Sequence, residues 1–82
     1  MNVKKTIDLG SGHKIEFGEA SWDNSQTSIR NRYPTSTGGF SPRSSSEIPI
    51  NDLKLLIIEA IKNGYIVNND IKDILNEGIK KL

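Results

Sequence analysis

Val3, Ile7 and Leu9 alternate with polar neighbours, and His13, Ile15 and Phe17 do the same beyond Gly10-Ser11-Gly12. Two period-2 runs about a glycine-bearing loop predict a β-hairpin over residues 1–20, its second strand ending at Gly18. Lys5 falls on the apolar phase, so the first strand is expected to be an edge strand or to change register. Trp22-Asp23-Asn24-Ser25 reads as a turn, with short polar side chains that bond the nearby backbone. From Thr27 to Tyr33 the alternation resumes. Ile29, Asn31 and Tyr33 point one way and Ser28, Arg30 and Arg32 the other, until Pro34 removes a ladder donor. Thr35 to Gly39 is a predicted loop, with Gly38-Gly39 free to take positive φ. The stretch Phe40 to Glu47 is too polar for a core strand and contains Pro42 and a serine run. It is expected to be an edge strand or an ordered loop, leading into an extended Ile48-Pro49-Ile50.

The period then changes. Leu53, Leu56, Ile57, Ala60 and Ile61 follow helical spacing, with Asn51 as expected N-cap, Asp52 in the first turn and Gly64 at C′. Tyr65-Ile66-Val67 links this helix to a second, capped by Asn68 or Asn69, in which Ile71, Ile74, Leu75, Ile79 and Leu82 recur. Residues 51–82 therefore predict a helical hairpin. The first helix also carries Leu55 and Ile58 off its main face. A helix apolar on two sides is buried on two sides. Either a second copy covers the extra face, most simply in a twofold dimer through helix 51–63, or the sheet and the second helix cover one side each.

The expected fold is therefore α+β: a small N-terminal antiparallel β-sheet, a hairpin plus one or two further strands, then a C-terminal two-helix hairpin. Residues 1–82 are read as a single domain, with sheet and polar binding loop in 1–50 and the helices in 51–82. Composition adds a constraint. A chain this short buries only about 60% of the surface its unfolded form exposes. It has no cysteine and one histidine, so disulfides and thiolate metal sites are excluded. Self-association is the remaining supplement, as a homodimer or higher homo-oligomer. No apolar run is long enough for a membrane span, and Lys4-Lys5 lead into Thr6-Ile7-Asp8-Leu9, not an apolar signal segment. A cytoplasmic location is expected.

Eleven Lys/Arg against ten Asp/Glu give a net charge of +1, far from the basicity of a dedicated nucleic-acid binder. The placement of charge says more. All three arginines, Arg30, Arg32 and Arg43, lie in the serine- and threonine-rich middle, and no lysine lies between Lys14 and Lys54. Catalysis is not expected. His13, the only candidate base, sits beside a turn, no acid pair has a predicted cleft, and Gly10-Ser11-Gly12 lacks the following helix of a phosphate loop. A helix-turn-helix reading, and with it a DNA-binding regulator as a third function, is disfavoured by linker length and by the mixed charge of Lys72, Lys80 and Lys81 against Asp70, Asp73 and Glu77.

The middle segment carries the candidate chemistry. Arg30 and Arg32, with Cα atoms about 7 Å apart on one strand face, can hold phosphate through bidentate, charge-assisted hydrogen bonds. Arg43, Ser44 and Ser45, with Ser46, add a guanidinium and hydroxyls. Phe40 offers a stacking surface for a base. Glu47 can accept from an exocyclic amine or a ribose hydroxyl. The plainer alternative is an exposed sheet face and a solvated loop, with Phe40 and Tyr33 in the core.

With Phe40-Ser41-Pro42-Arg43-Ser44-Ser45-Ser46-Glu47 between a sheet and two helices, the chain resembles the phage anti-Thoeris sponge proteins, which sequester cyclic ADP-ribose signals. The resemblance covers the whole chain in architecture only, and this chain is shorter than the family's members. It implies that Phe40, Arg43, Ser44, Ser45 and Glu47 lie on the binding loop; Arg30 and Arg32 come from the strand pattern alone. It further implies a non-catalytic protein, needing no cofactor or metal. Such a protein acts in the infected bacterial cytoplasm on the cyclic nucleotide product of a TIR-type defence enzyme, and its higher oligomers can also take cyclic dinucleotides. The alternative function is a small phage or mobile-element protein that inhibits a host protein by direct contact, with Trp22, Tyr33 and the arginines as anchors.

Overall fold

A computed structural model describes the backbone of residues 1–35 and 40–82, and the side chains of residues 1–35 and 46–82. Four strands, β1 (Asn2–Gly10), β2 (His13–Glu19), β3 (Thr27–Pro34) and β4 (Phe40–Pro49), precede two helices, α1 (Ile50–Lys62) and α2 (Asn68–Lys81). The strands form one antiparallel meander in the order β1-β2-β3-β4. The α+β fold expected from the pattern is present. The chain divides into two compact units, Met1–Asp52 and Leu53–Leu82. The Thr35–Gly39 loop falls largely outside the described residues.

In the sheet unit, β1 and β2 join through Ser11 and Gly12, with φ of 55° and 80°. Positive φ at both central residues is the I′ turn, whose twist matches that of the strands it joins. A Cβ built on Gly12 would lie 2.8 Å from Pro34 Cγ, so glycine is also required by the end of β3 packed on the turn. Lys5 resolves as anticipated. The β1–β2 register shifts between Val3 and Lys5 and again between Asp8 and Gly10. The first shift brings β1 backbone over Gly18, where a Cβ would meet the Asn2 carbonyl oxygen at 2.1 Å.

The register sorts side chains onto two faces. One carries Ile15 and Phe17 from β2, Ile29 from β3 and Ile48 from β4, with Phe17 opposite Ile29 and Ile29 opposite Ile48. The other carries Lys14, Glu16 and Gly18 against Arg32, Arg30 and Ser28, with Glu47 and Pro49 beyond. The deepest side chains lie on this second, polar face: Ser28 is fully buried and Glu16 is 4% exposed. The segment Phe40–Glu47 is strand throughout, one of the two options open to it. As the outer strand of the sheet, β4 can accommodate Pro42 because one side of its backbone has no ladder partner among the described residues.

In the helical unit, α1 ends as the Gly64 signal predicts. Gly64 has φ +77°, its N–H bonds the Ile61 carbonyl, and the Tyr65 N–H bonds the Ala60 carbonyl. This pair of bonds is the Schellman motif. The helix starts differ from expectation. α1 begins at Ile50, one residue before the expected Asn51 cap, because Pro49 ends the ladder and delivers the chain directly into the first turn. α2 is capped by Val67 in extended conformation without a side-chain bond, so Asn68 and Asn69 are its first helical residues instead of its cap. The two helices make little contact with each other. Leu55, Leu56 and Ile58 of α1 and Ile74, Leu75 and Ile79 of α2 are exposed.

Candidate functional site

Arg30 is the centre of the polar face. The β2–β3 register sets it opposite Glu16, and the β3–β4 register sets it opposite Glu47. Its Nε donates to Glu16 Oε1 at 2.8 Å, and its Nη2 lies 2.7 Å from the same oxygen. Arg32, two residues on and therefore on the same face, donates from Nη1 to Glu16 Oε2 at 3.3 Å. One nearly buried carboxylate thus holds both guanidinium groups side by side. The Arg30 side chain is 15% exposed and that of Arg32 31%. The expected arginine pair exists, but Glu16 already offsets one of its two charges. Burial of an ion group is tolerated here because both carboxylate oxygens are bonded.

Glu47 makes bonds within the fold. Its Oε2 accepts from the Ser21 N–H at 2.9 Å and from the Ser28 hydroxyl at 2.7 Å. Partial burial acts to raise its pKa, but the Ser21 and Ser28 hydrogen bonds outweigh that and hold the carboxyl below the ordinary glutamate range. Glu47 therefore pins the β2–β3 connection to β4. That connection is itself ordered: the Ala20 N–H bonds the Gln26 carbonyl at 2.9 Å, and Asp23 Oδ1 accepts from the Ser25 N–H and hydroxyl. The Ser25 hydroxyl bond, followed by its N–H bond, lowers the Asp23 pKa. The predicted turn at Trp22–Ser25 is thus held by the local bonds its composition suggests.

Of the remaining sequence candidates, Phe40, Arg43, Ser44 and Ser45 belong to β4 by backbone, and Ser45 pairs with Arg32. Their side chains lie outside the described residues. Glu16 is the residue that the sequence reading missed. Its signal was present: it sits on the polar phase of β2, between Ile15 and Phe17, and only pairing with β3 reveals that Arg30 is its neighbour. His13 also has a definite place. Its ring stacks on Tyr33 with centroids 4.2 Å apart and planes 9° apart, and Nε2 is hydrogen-bonded to Asn31 Oδ1. Tyr33 is 46% exposed, which removes the alternative that it lies in the core.

The arrangement can do three things chemically: present forked donors to an anion, offer aromatic edges and faces, and hold a polar strand beside them. Among the described residues no group of three or more His, Asp or Glu side chains is placed to hold a metal ion. No helix is long and apolar enough to cross a membrane among those residues. No family model matches this chain, and no curated protein or solved structure matches it either.

Proposed function

We propose that this chain is a non-catalytic binding protein that sequesters a cyclic nucleotide immune signal of the cyclic ADP-ribose type, with cyclic dinucleotides as a second ligand class, and so counters bacterial anti-phage defence. The observation that carries this reading is the placement of Arg30 and Arg32, held together by Glu16, next to the strand that contains Phe40, Arg43, Ser44, Ser45 and Glu47. Two guanidinium groups side by side present forked donors of the kind that one phosphodiester accepts. Arg43 would supply the second cation needed by a pyrophosphate or a second phosphodiester. Orienting the guanidiniums in advance reduces the ordering cost of binding. Sequestration of an intact ligand needs neither general base nor metal. If phage-encoded, the protein acts in the host bacterial cytoplasm. Exposure of Leu55 and Ile58 on α1 supports association of copies through helix 51–63.

The test is the identity of what the protein carries. Protein expressed beside an active TIR-type defence enzyme is purified and denatured, and the released small molecules are identified by mass spectrometry. A cyclic ADP-ribose isomer in near-stoichiometric amount is the expected result. Recovery of intact host protein with no nucleotide would favour a second reading, direct inhibition of a host protein. Trp22 and Tyr33, 48% and 46% exposed, are the observations that favour it.

A further inference from the structure

Among the described residues, Ile71 of the α2 apolar stripe is half-buried and the rest of the stripe is open. Ile74, Leu75, Ile79 and Leu82 are all exposed, and α1 makes little contact with the helix. A helix of 14 residues is marginal in water without tertiary packing. What would cover it is indicated by three features of the helix itself. The stripe is closed on one flank by Asp70 and Lys81, which are eleven residues apart and therefore about three turns apart on the same side. Gly78 lies in the middle of the stripe, where glycine weakens a helix relative to alanine. Among the described residues, no atom beyond its own helix backbone lies within 4 Å of a Cβ built there, so no neighbour among them requires its absence.

We infer that α2 packs antiparallel against α2 of a second copy, around a twofold axis level with Asn76, midway between Leu75 and Gly78. In an antiparallel helix pair the same flank of each helix faces its counterpart. Asp70 of each copy then meets Lys81 of the other, making two equivalent ion pairs. Ile71 lies beside Leu82 of the second copy, and Leu75 lies over the bare backbone at Gly78, where the missing Cβ permits close approach. A parallel pairing would instead set this flank against the opposite flank of the second copy and leave Lys81 three turns from Asp70. This surface is distinct from the association through α1 and does not depend on what ligand the sheet binds.

Because the chain has no cysteine, single-cysteine variants report the pairing directly. Asp70→Cys and Lys81→Cys proteins are mixed in equal amounts in a glutathione redox buffer. The antiparallel pairing predicts that the mixed disulfide exceeds either homodisulfide by about fivefold or more, since residues 81 of two copies lie roughly 14 Å apart. A random yield, with the mixed species only about twice either homodisulfide, or an excess of homodisulfides, overturns the inference. Sedimentation equilibrium gives the second measurement. Asp70→Lys and Lys81→Asp should each weaken self-association by about fivefold or more, and the double exchange should restore it. A protein monomeric at high micromolar concentration, or one whose association is the same in all three variants, overturns it as well.

Discussion

Replacing Glu16 by glutamine keeps the shape of the side chain and removes the charge between two arginines. Glu16 is 4% exposed and accepts from Arg30 at 2.7 and 2.8 Å and from Arg32 at 3.3 Å. Breaking a buried pair costs about 3–5 kcal/mol, because the surviving charges stay desolvated and lose a counter-charge. Arg32 is 31% exposed, so water relieves part of that cost, and about 2–4 kcal/mol is the figure for this site. A chain of this length has roughly 4–12 kcal/mol of stability in all. The melting temperature should fall by roughly 10–25 °C. Thermal and urea unfolding followed by circular dichroism measure it. A double-mutant cycle then separates the partners: coupling of Glu16→Gln with Arg30→Gln should exceed about 1.5 kcal/mol, and coupling with Arg32→Gln should be smaller. A loss below about 1 kcal/mol for Glu16→Gln, or equal couplings to the two arginines, would refute the view that a desolvated carboxylate orients the pair.

Three further outcomes follow from single positions. Gly18→Ala places a methyl 2.1 Å from the Asn2 carbonyl oxygen; it should cost roughly 1–3 kcal/mol and abolish amide-exchange protection in β1 while β3 and β4 keep theirs. Glu47 has a depressed pKa in the folded chain, so its contribution to stability is present above the unfolded value of about 4.3 and is lost as pH falls through the folded value. Glu47→Gln should therefore be less stable than the parent at neutral pH, and the gap should close in acid; a gap independent of pH would contradict the Ser21 and Ser28 assignments. Arg43→Ala should weaken nucleotide affinity by about 1.5–3 kcal/mol if it bonds a phosphate, read by calorimetry, and an unchanged affinity would remove it from the site.

Most of the architecture could be read from local signals. The hairpin announced itself in two alternating runs about Gly10-Ser11-Gly12, and α1 in its stripe and in Gly64, whose positive φ terminates the helix. Helix starts were read less well, because Asn51, Asn68 and Asn69 are good caps by composition while Pro49 and Val67 decide where helical geometry begins. The candidate site was half readable. Strand phase placed Arg30 and Arg32 on one face, but phase does not tell which residue lies across the ladder. Glu16 is absent from the sequence candidates for that reason. Glu47 was read as a ligand acceptor, and only the fold of the Ser21–Gln26 connection shows that its Oε2 is occupied. Composition gave no hint that the most buried side chains would be a serine and a glutamate. That outcome follows from pairing, which is a property of register.

The central claim is that the Arg30–Arg32 face and the neighbouring strand β4 bind a cyclic nucleotide. Isothermal titration of the full chain with cyclic ADP-ribose isomers and with cyclic dinucleotides tests it most directly. The account predicts micromolar or tighter binding of at least one of them, with no change in the ligand recovered afterwards and with affinity lost in Arg30→Ala and Arg32→Ala. No heat at micromolar concentrations with any member of either ligand class, from protein shown to be folded, would contradict it.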